Sequence, residues 1–147
     1  FLKSRFKQVK EIHASEKNVI QDRTIYEDAF IFAPNLHAMG LMSSRDFENY
    51  LSLFQLMETF IPPPNLLIYL RSSVANLVGQ IQKRGRDYEN SIRIDYLTRL
   101  NERYEAWIQS YDKSNLLVIE VDDIDFVENK EDFKSIVAQI DAKINKL

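Results

Sequence analysis

Asp22 and Arg23 stand side by side where a short apolar run, residues 18–21, stops, and a second acidic pair, Glu27-Asp28, follows about one helical turn later. A carboxylate at such a point can hold a hydrated Mg²⁺, directly or through water. An adjacent guanidinium can neutralise charge on a phosphoryl group in transfer. The same residues also read as a surface ion pair beside a capping box made by Thr24 and Glu27. A second candidate is "QKRGRDYE", residues 82–89, where Arg84 and Arg86 flank Gly85 just past a helical pattern. Planar guanidinium groups suit bidentate recognition of phosphate, and the glycine lets the segment close over a ligand. The alternative is that these cations complement the dipole of a helix C-terminus. Arg5 and Asp28 form a third, long-range candidate. Together they can read the donor and acceptor edge of a nucleobase, with Phe32 as a stacking ring, or they form a structural salt bridge beside a core phenylalanine. The acidic stretch "DDIDFVE", residues 122–128, lacks the glycine and the terminal glutamate that a calcium loop requires. Trp107 and the tyrosines at helical spacing read as core.

The elements that must position these groups follow from periodicity and caps. Phe1, Leu2, Phe6, Val9 and Ile12 recur at helical spacing, predicting a helix to about Ser15. "NVIQD" reads as a short buried strand, followed by a helix capped at Thr24 and broken at Pro34. A long helix carries Phe47, Tyr50, Leu51, Phe54, Met57 and Ile61 on one stripe, with Ser44 as its N-cap. "PPPN" forces an extended entry to "NLLIYLRSS", a strand expected to be buried on both faces. Ser72 or Ser73 opens the next helix and Gly85 closes it. A helix from about Ile94 to Lys113, a third strand "NLLVIEVD" and a final helix with Phe133, Ile136, Val137, Ile140 and Ile144 complete the chain. Strands alternating with helices imply an α/β fold with a parallel sheet covered by helices on both faces. Ligands of such folds bind beyond the carboxyl ends of the strands. Asp22-Arg23, Arg71 and "DDIDF" are expected there, within one domain spanning residues 1–147.

Bulk composition narrows the possibilities. With 147 residues, 45% hydrophobic and 28% charged, the chain has the make-up of an ordinary globular domain. No apolar run approaches the roughly 20 residues needed to span a bilayer, so no membrane association is expected. Without cysteine, disulfides and thiolate metal sites are excluded, and with only two histidines a histidine zinc site is improbable. A reducing, cytoplasmic setting fits such a chain. The net charge of −3 offers no general attraction for nucleic acid. Residues 71–103 nevertheless hold seven basic and four acidic groups. This local basic zone suits a small anionic ligand better than a polyanion.

Taken together, "QDRTIYEDAFIFAPNLHAMG", "LLIYLRSS", "QIQKRGRDYE", "IDYLTRLNERYEAWI" and "VIEVDDIDF" resemble the deoxynucleoside kinases, closest to the bacterial deoxyadenosine/deoxyguanosine kinase branch. The resemblance runs over essentially the whole chain. It implies a P-loop-kinase-type parallel sheet and ATP-dependent phosphorylation of the 5′-hydroxyl of a deoxynucleoside, purine by preference, for nucleotide salvage. It further implies Mg²⁺ as cofactor, ATP as donor and a homodimer. By position, Asp22 and Arg23 match the family's acid–arginine motif beside the metal and phosphates, with Thr24 in place of the commoner serine. Arg5 and Asp28 match the pair that contacts the base, and Phe32 the ring that packs on it. Arg84 and Arg86 match lid arginines that grip donor phosphates, and Glu89 the lid carboxylate that bonds the sugar 3′-hydroxyl. Asp125 and Phe126 fall in the loop bordering the ATP adenine. Gln80 departs from relatives that carry another lid arginine.

The same resemblance implies a gap. The chain starts in mid-pattern without Met, and Gly40, Gly79 and Gly85 do not begin a G-x-x-x-x-G-K-[ST] phosphate loop. The family's general-base glutamate is absent as well. The expectation is a fragment lacking the first two strands, poorly stable and inactive alone, because neighbouring strands lose a pairing partner. Two other readings remain at this level. One is a thymidylate-kinase-like monophosphate kinase. The other is a non-catalytic helical interaction module using residues 47–61.

Overall fold

The computed structural model describes residues 2–85 and 93–146. They form two compact units: residues 1–63 with 102–107, and residues 64–101 with 108–147. No helix among the described residues is long and apolar enough to cross a membrane.

The first unit is helical. Helix α1 spans Leu2–Ala14, and its i, i+4, i+7 positions Leu2, Phe6 and Val9 face the core. A second helical stretch follows in three pieces: α2 (Ile25–Glu27), a π-helical turn (Asp28–Phe32) and α3 (Ala33–Ala38). Thr24 caps α2 with a complete capping box: its hydroxyl accepts from the Tyr26 amide while Glu27 accepts from the Thr24 amide at 2.8 Å. Helix α4 (Ser44–Glu58) is capped by Ser43, whose hydroxyl accepts from the Asp46 amide. Leu2, Val9, Ile25, Tyr26, Ala29, Phe54 and Ile61 make the core, with Phe6, Tyr50, Met57 and Trp107 packed around them. Phe54 meets Tyr26 and Phe30 edge to face, at centroid distances of 6.0 and 5.5 Å.

The second unit carries the sheet. Strands β1 (Leu66–Arg71) and β2 (Asn115–Glu120) pair in parallel, from Leu66 opposite Asn115 to Arg71 opposite Glu120. Helix α5 (Val74–Arg84) starts at Ser73, whose hydroxyl accepts from Asn76, and stops at Gly85, which takes the left-handed conformation at φ 63°. Helix α6 (Ile94–Gln109) contributes its central residues 102–107 to the first unit. Helix α7 (Lys130–Ile144) is capped by Asn129. Among the described residues of this unit, Leu67, Ile108, Ile119 and Ile136 are the buried apolar ones.

Several expectations change. "NVIQD" is not a strand: the sheet of the described residues has two strands, and Ile20 is fully exposed. An apolar run becomes a strand only by pairing its backbone, and residues 18–22 have no ladder partner. The helix after Thr24 does not break at Pro34. One turn widens instead, so that the Ala33 amide reaches the carbonyl of Asp28. That widening accommodates Pro34, which has no N–H to give and would crowd the carbonyl four residues back. The α4 cap is Ser43 rather than Ser44, and α6 ends at Gln109 rather than near Lys113. Strand β1 is not buried on both faces, since Ile68 and Leu70 are exposed on one of them.

Candidate functional site

In the first unit, five of the residues singled out in the sequence fall on three adjoining segments. Arg5 projects from α1, Asp22 and Arg23 lie in the turn before α2, and Asp28 and Phe32 open and close the π-turn. Arg5 Nε lies 3.5 Å from Asp28 Oδ2, and both side chains are largely buried. That oxygen is sequestered from solvent and makes no hydrogen bond. A buried acceptor with spare capacity is costly unless a donor meets it. The same arginine donates from Nη1 to the Asp22 carbonyl at 3.4 Å and to Gln8 Oε1 at 3.4 Å. Arg5 therefore ties the acid–arginine turn to the Asp28 carboxylate.

Arg23 is the one non-glycine residue with positive φ among the described residues, at 62°. A left-handed backbone crowds the Cβ of an L-residue against the carbonyl and costs about 1–2 kcal/mol. Its guanidinium lies over the Phe32 ring, 4.9 Å from the centroid. Tyr104 of α6 meets Phe32 at 85° with centroids 6.5 Å apart, and Trp107 meets Tyr104 at 6.3 Å. The Tyr104 hydroxyl is pushed up to about 12, first by burial and then by the Glu27 carboxylate. Tyr50 is likewise pushed up to about 12, by burial and by Asp28. Asp22 itself is exposed. No group of three or more carboxylates or imidazoles among the described residues is placed to cage a metal ion. A single carboxylate fits Mg²⁺, which keeps waters and shares its remaining positions with phosphate oxygens.

The second unit gathers polar groups at the carboxyl ends of its strands. Arg71 pairs with Glu120 at 2.9 Å. The Asp122 carboxylate accepts from the Ser73 amide at 2.8 Å and the Ser72 hydroxyl at 2.9 Å, so it sits on the N-terminus of α5. Those bonds, led by the Ser73 amide, hold its pKa below the usual carboxylate range. Asp125 accepts from the amides of Val127 and Glu128 and from Lys83 Nζ at 3.2 Å. The Glu128 amide and then Lys83 hold its pKa down. Asp125 is thus occupied in shaping its own loop, whereas the neighbouring Phe126 ring is half-buried. Lys83 directly precedes Arg84, an exposed residue in the last turn of α5. Arg86 and Glu89 lie outside the described residues.

Sequence reasoning gave Tyr104 and Tyr50 no part in the site, and it named no partner for Lys83 or Asp122, although both fall in stretches it singled out. Helical spacing assigned the tyrosines to the core, where Tyr50 packs, whereas Tyr104 meets Phe32 and Trp107. Lys83 and Asp122 find their partners roughly 40–50 positions away in sequence, a separation that carries no local signal.

A family model described as deoxynucleoside kinase matches residues 1–145. The chain therefore belongs to the deoxynucleoside kinase family, phosphotransferases with a nucleoside acceptor and ATP as donor. It is 36% identical to a deoxyadenosine/deoxycytidine kinase of Bacillus subtilis, over 99% of this chain and 68% of that protein. It is 33% identical to a deoxyguanosine kinase of Lactobacillus johnsonii, over 100% of this chain and 69% of the relative. Among solved structures it resembles deoxyadenosine kinase from M. mycoides with bound dATP, with a TM-score of 0.76 and 26% identity over 95% of this chain and 70% of that one. The fold is accordingly of the P-loop-kinase type.

Proposed function

We propose that this chain carries the nucleoside-binding and charge-neutralising groups of an ATP-dependent kinase that phosphorylates the 5′-hydroxyl of purine deoxynucleosides. The observation that supports it best is the buried, unbonded Asp28 oxygen held against Arg5 at 3.5 Å beside Phe32. A carboxylate acceptor and a guanidinium donor on one edge, with an aromatic ring nearby, match a purine's exocyclic and ring nitrogens. The relatives named for deoxyadenosine and deoxyguanosine favour a purine, while the Bacillus subtilis relative is named for deoxycytidine as well.

In this reading Arg5, Asp28 and Phe32 orient the base, and Glu89 receives the sugar 3′-hydroxyl. Arg23, Arg84 and Arg86 offset charge on the phosphoryl group as it moves. Such transfer proceeds through positioning and electrostatics, without a covalent enzyme intermediate. Asp22 would hold Mg²⁺, which when bound neutralises phosphate charge. Phe126 borders the donor's adenine, and Asp125 shapes the loop that presents it. The exposed Leu53 and Leu56 of α4, with Phe60 just past its end, favour a homodimer, and the setting is cytoplasmic. These 147 residues contain no phosphate-loop pattern, so turnover by them alone is expected to be absent.

Calorimetric titration with deoxyadenosine tests the assignment. Asp28→Asn keeps the side chain's shape but removes its charge. A hydrogen bond to a charged group is worth about 1.5–3 kcal/mol, so affinity should fall about 10- to 100-fold. An unchanged dissociation constant would remove Asp28 from the base site.

A further inference from the structure

The ring assigned to the nucleobase is already in use. Arg23 covers Phe32 from 4.9 Å, and Tyr104 meets the same ring edge to face. The arginine's position is set by its backbone rather than by chance. Its φ of 62° is held between two anchored neighbours: the Asp22 carbonyl accepts from Arg5, and Thr24 is fixed in its capping box. A guanidinium and a purine both stack on aromatic faces, and one face of a ring cannot carry both at once.

We infer that Arg23 and the nucleobase compete for Phe32, so that stacking of the base displaces the guanidinium from the ring and delivers it toward the phosphates. This rests on the roles of Phe32 and Arg23 under the proposed function, and it adds a coupling between them. A single ring then links the presence of the acceptor to the availability of the residue that offsets phosphoryl charge. Arg23 is withheld from the donor until a base lies on Phe32. The coupling is also economical in structure, because both residues lie within ten positions on one continuous stretch of chain.

Two measurements on the full chain test it. The first is calorimetric titration of deoxyadenosine into wild type and Arg23→Gln. Removing the competitor should tighten binding about two- to fivefold, the value of an exposed cation–π contact expressed as an affinity ratio. The second is NMR of the arginine Cδ protons, which does not depend on affinity. In wild type those of Arg23 should be shifted upfield by the Phe32 ring current. Phe32→Leu should abolish the shift, and saturating deoxyadenosine should abolish it in wild type. Equal or weaker binding by Arg23→Gln, with wild type binding normally, overturns the competition and leaves the nucleoside site standing. Wild type that binds no deoxyadenosine overturns the site and the competition together. Arg23 protons at random-coil positions in the wild-type chain overturn the competition whatever the affinities.

Discussion

The two units invest their charges differently. In the first, Arg5 and Asp28 are largely withdrawn from solvent, Asp28 keeps a buried oxygen unbonded, and Arg23 sits in a left-handed backbone against a ring. In the second, Asp122 and Asp125 are bonded to backbone amides and neighbouring side chains on the surface. The first arrangement is costly by itself and gains from a ligand that completes it. The second is already satisfied, and it organises a loop. A polar group that its own fold leaves incomplete points to a binding site more strongly than a group whose bonds are all made.

The difference in packing can be tested first, because it should give the largest effect. Phe54 is 2% exposed and touches both Tyr26 and Phe30, whereas Phe133 on α7 is 54% exposed. Phe54→Ala should destabilise the chain by about 3–5 kcal/mol, the cost of lost transfer energy plus an unfilled cavity. Phe133→Ala should cost less than about 0.5 kcal/mol, as surface changes do. Chemical denaturation of both variants gives the comparison. Similar losses would mean that α7 buries its apolar face in solution.

Acid and alkali should separate the units next. Tyr50 and Tyr104 have folded pKa values raised to about 12 from an ordinary 10.0, because burial and nearby carboxylates disfavour the phenolate. Their contribution is complete below pH 10 and is lost as pH rises through about 12. Asp122 and Asp125 have folded values depressed below the ordinary 3.8. Their contribution is complete above that value and is lost as pH falls through the folded one. Ionisation of Tyr50 and Tyr104, followed by their own ring resonances, should therefore accompany loss of the first unit's structure on the alkaline side. On the acid side, the amide resonances of Ser73, Val127 and Glu128 should shift as pH falls below about 4. Ionisation of Tyr50 and Tyr104 themselves near pH 10 would show that their surroundings are open to water.

How much of this was legible in the sequence depends on whether the determining interaction is local. The cap at Thr24 and the stop at Gly85 were readable, because each is set by residues within one turn, whereas the caps of α5 and α4 were readable only to within a residue, as Ser72 or Ser73 and as Ser44 for Ser43. The β1–β2 pair was readable from two apolar runs separated by helical patterns. The false strand at residues 18–22 shows the limit: its apolar content is right, but a strand needs a partner that composition does not reveal. The π-turn was hidden because one widened turn hardly disturbs a 3.6-residue pattern over so few positions. The Arg5–Asp28 pair is a candidate on residue chemistry alone, but nothing local decides between a base-reading pair and a structural salt bridge. Tyr104 was passed over because its spacing suits the core equally well. The left-handed Arg23 gave no signal, since arginine is an unremarkable choice at a turn.

The smallest effect probes that last feature. Arg23→Ala and Arg23→Gly both remove the contact with Phe32, so the ring interaction cancels between them. They differ in the backbone, where alanine keeps the left-handed penalty of about 1–2 kcal/mol and glycine does not. Glycine's greater freedom in the unfolded chain returns about 0.5–1 kcal/mol of that difference. Arg23→Gly should therefore be the more stable of the two by about 0.5–1 kcal/mol, read from denaturation midpoints with equal slopes. At an ordinary right-handed position the order would reverse, with alanine ahead by a similar margin. If glycine is favoured, the native arginine occupies a position whose backbone would be better served by another residue. Its retention there must then come from what the guanidinium reaches. If alanine is favoured, the turn is relaxed in solution, and Arg23 owes its place over Phe32 to the side chain alone.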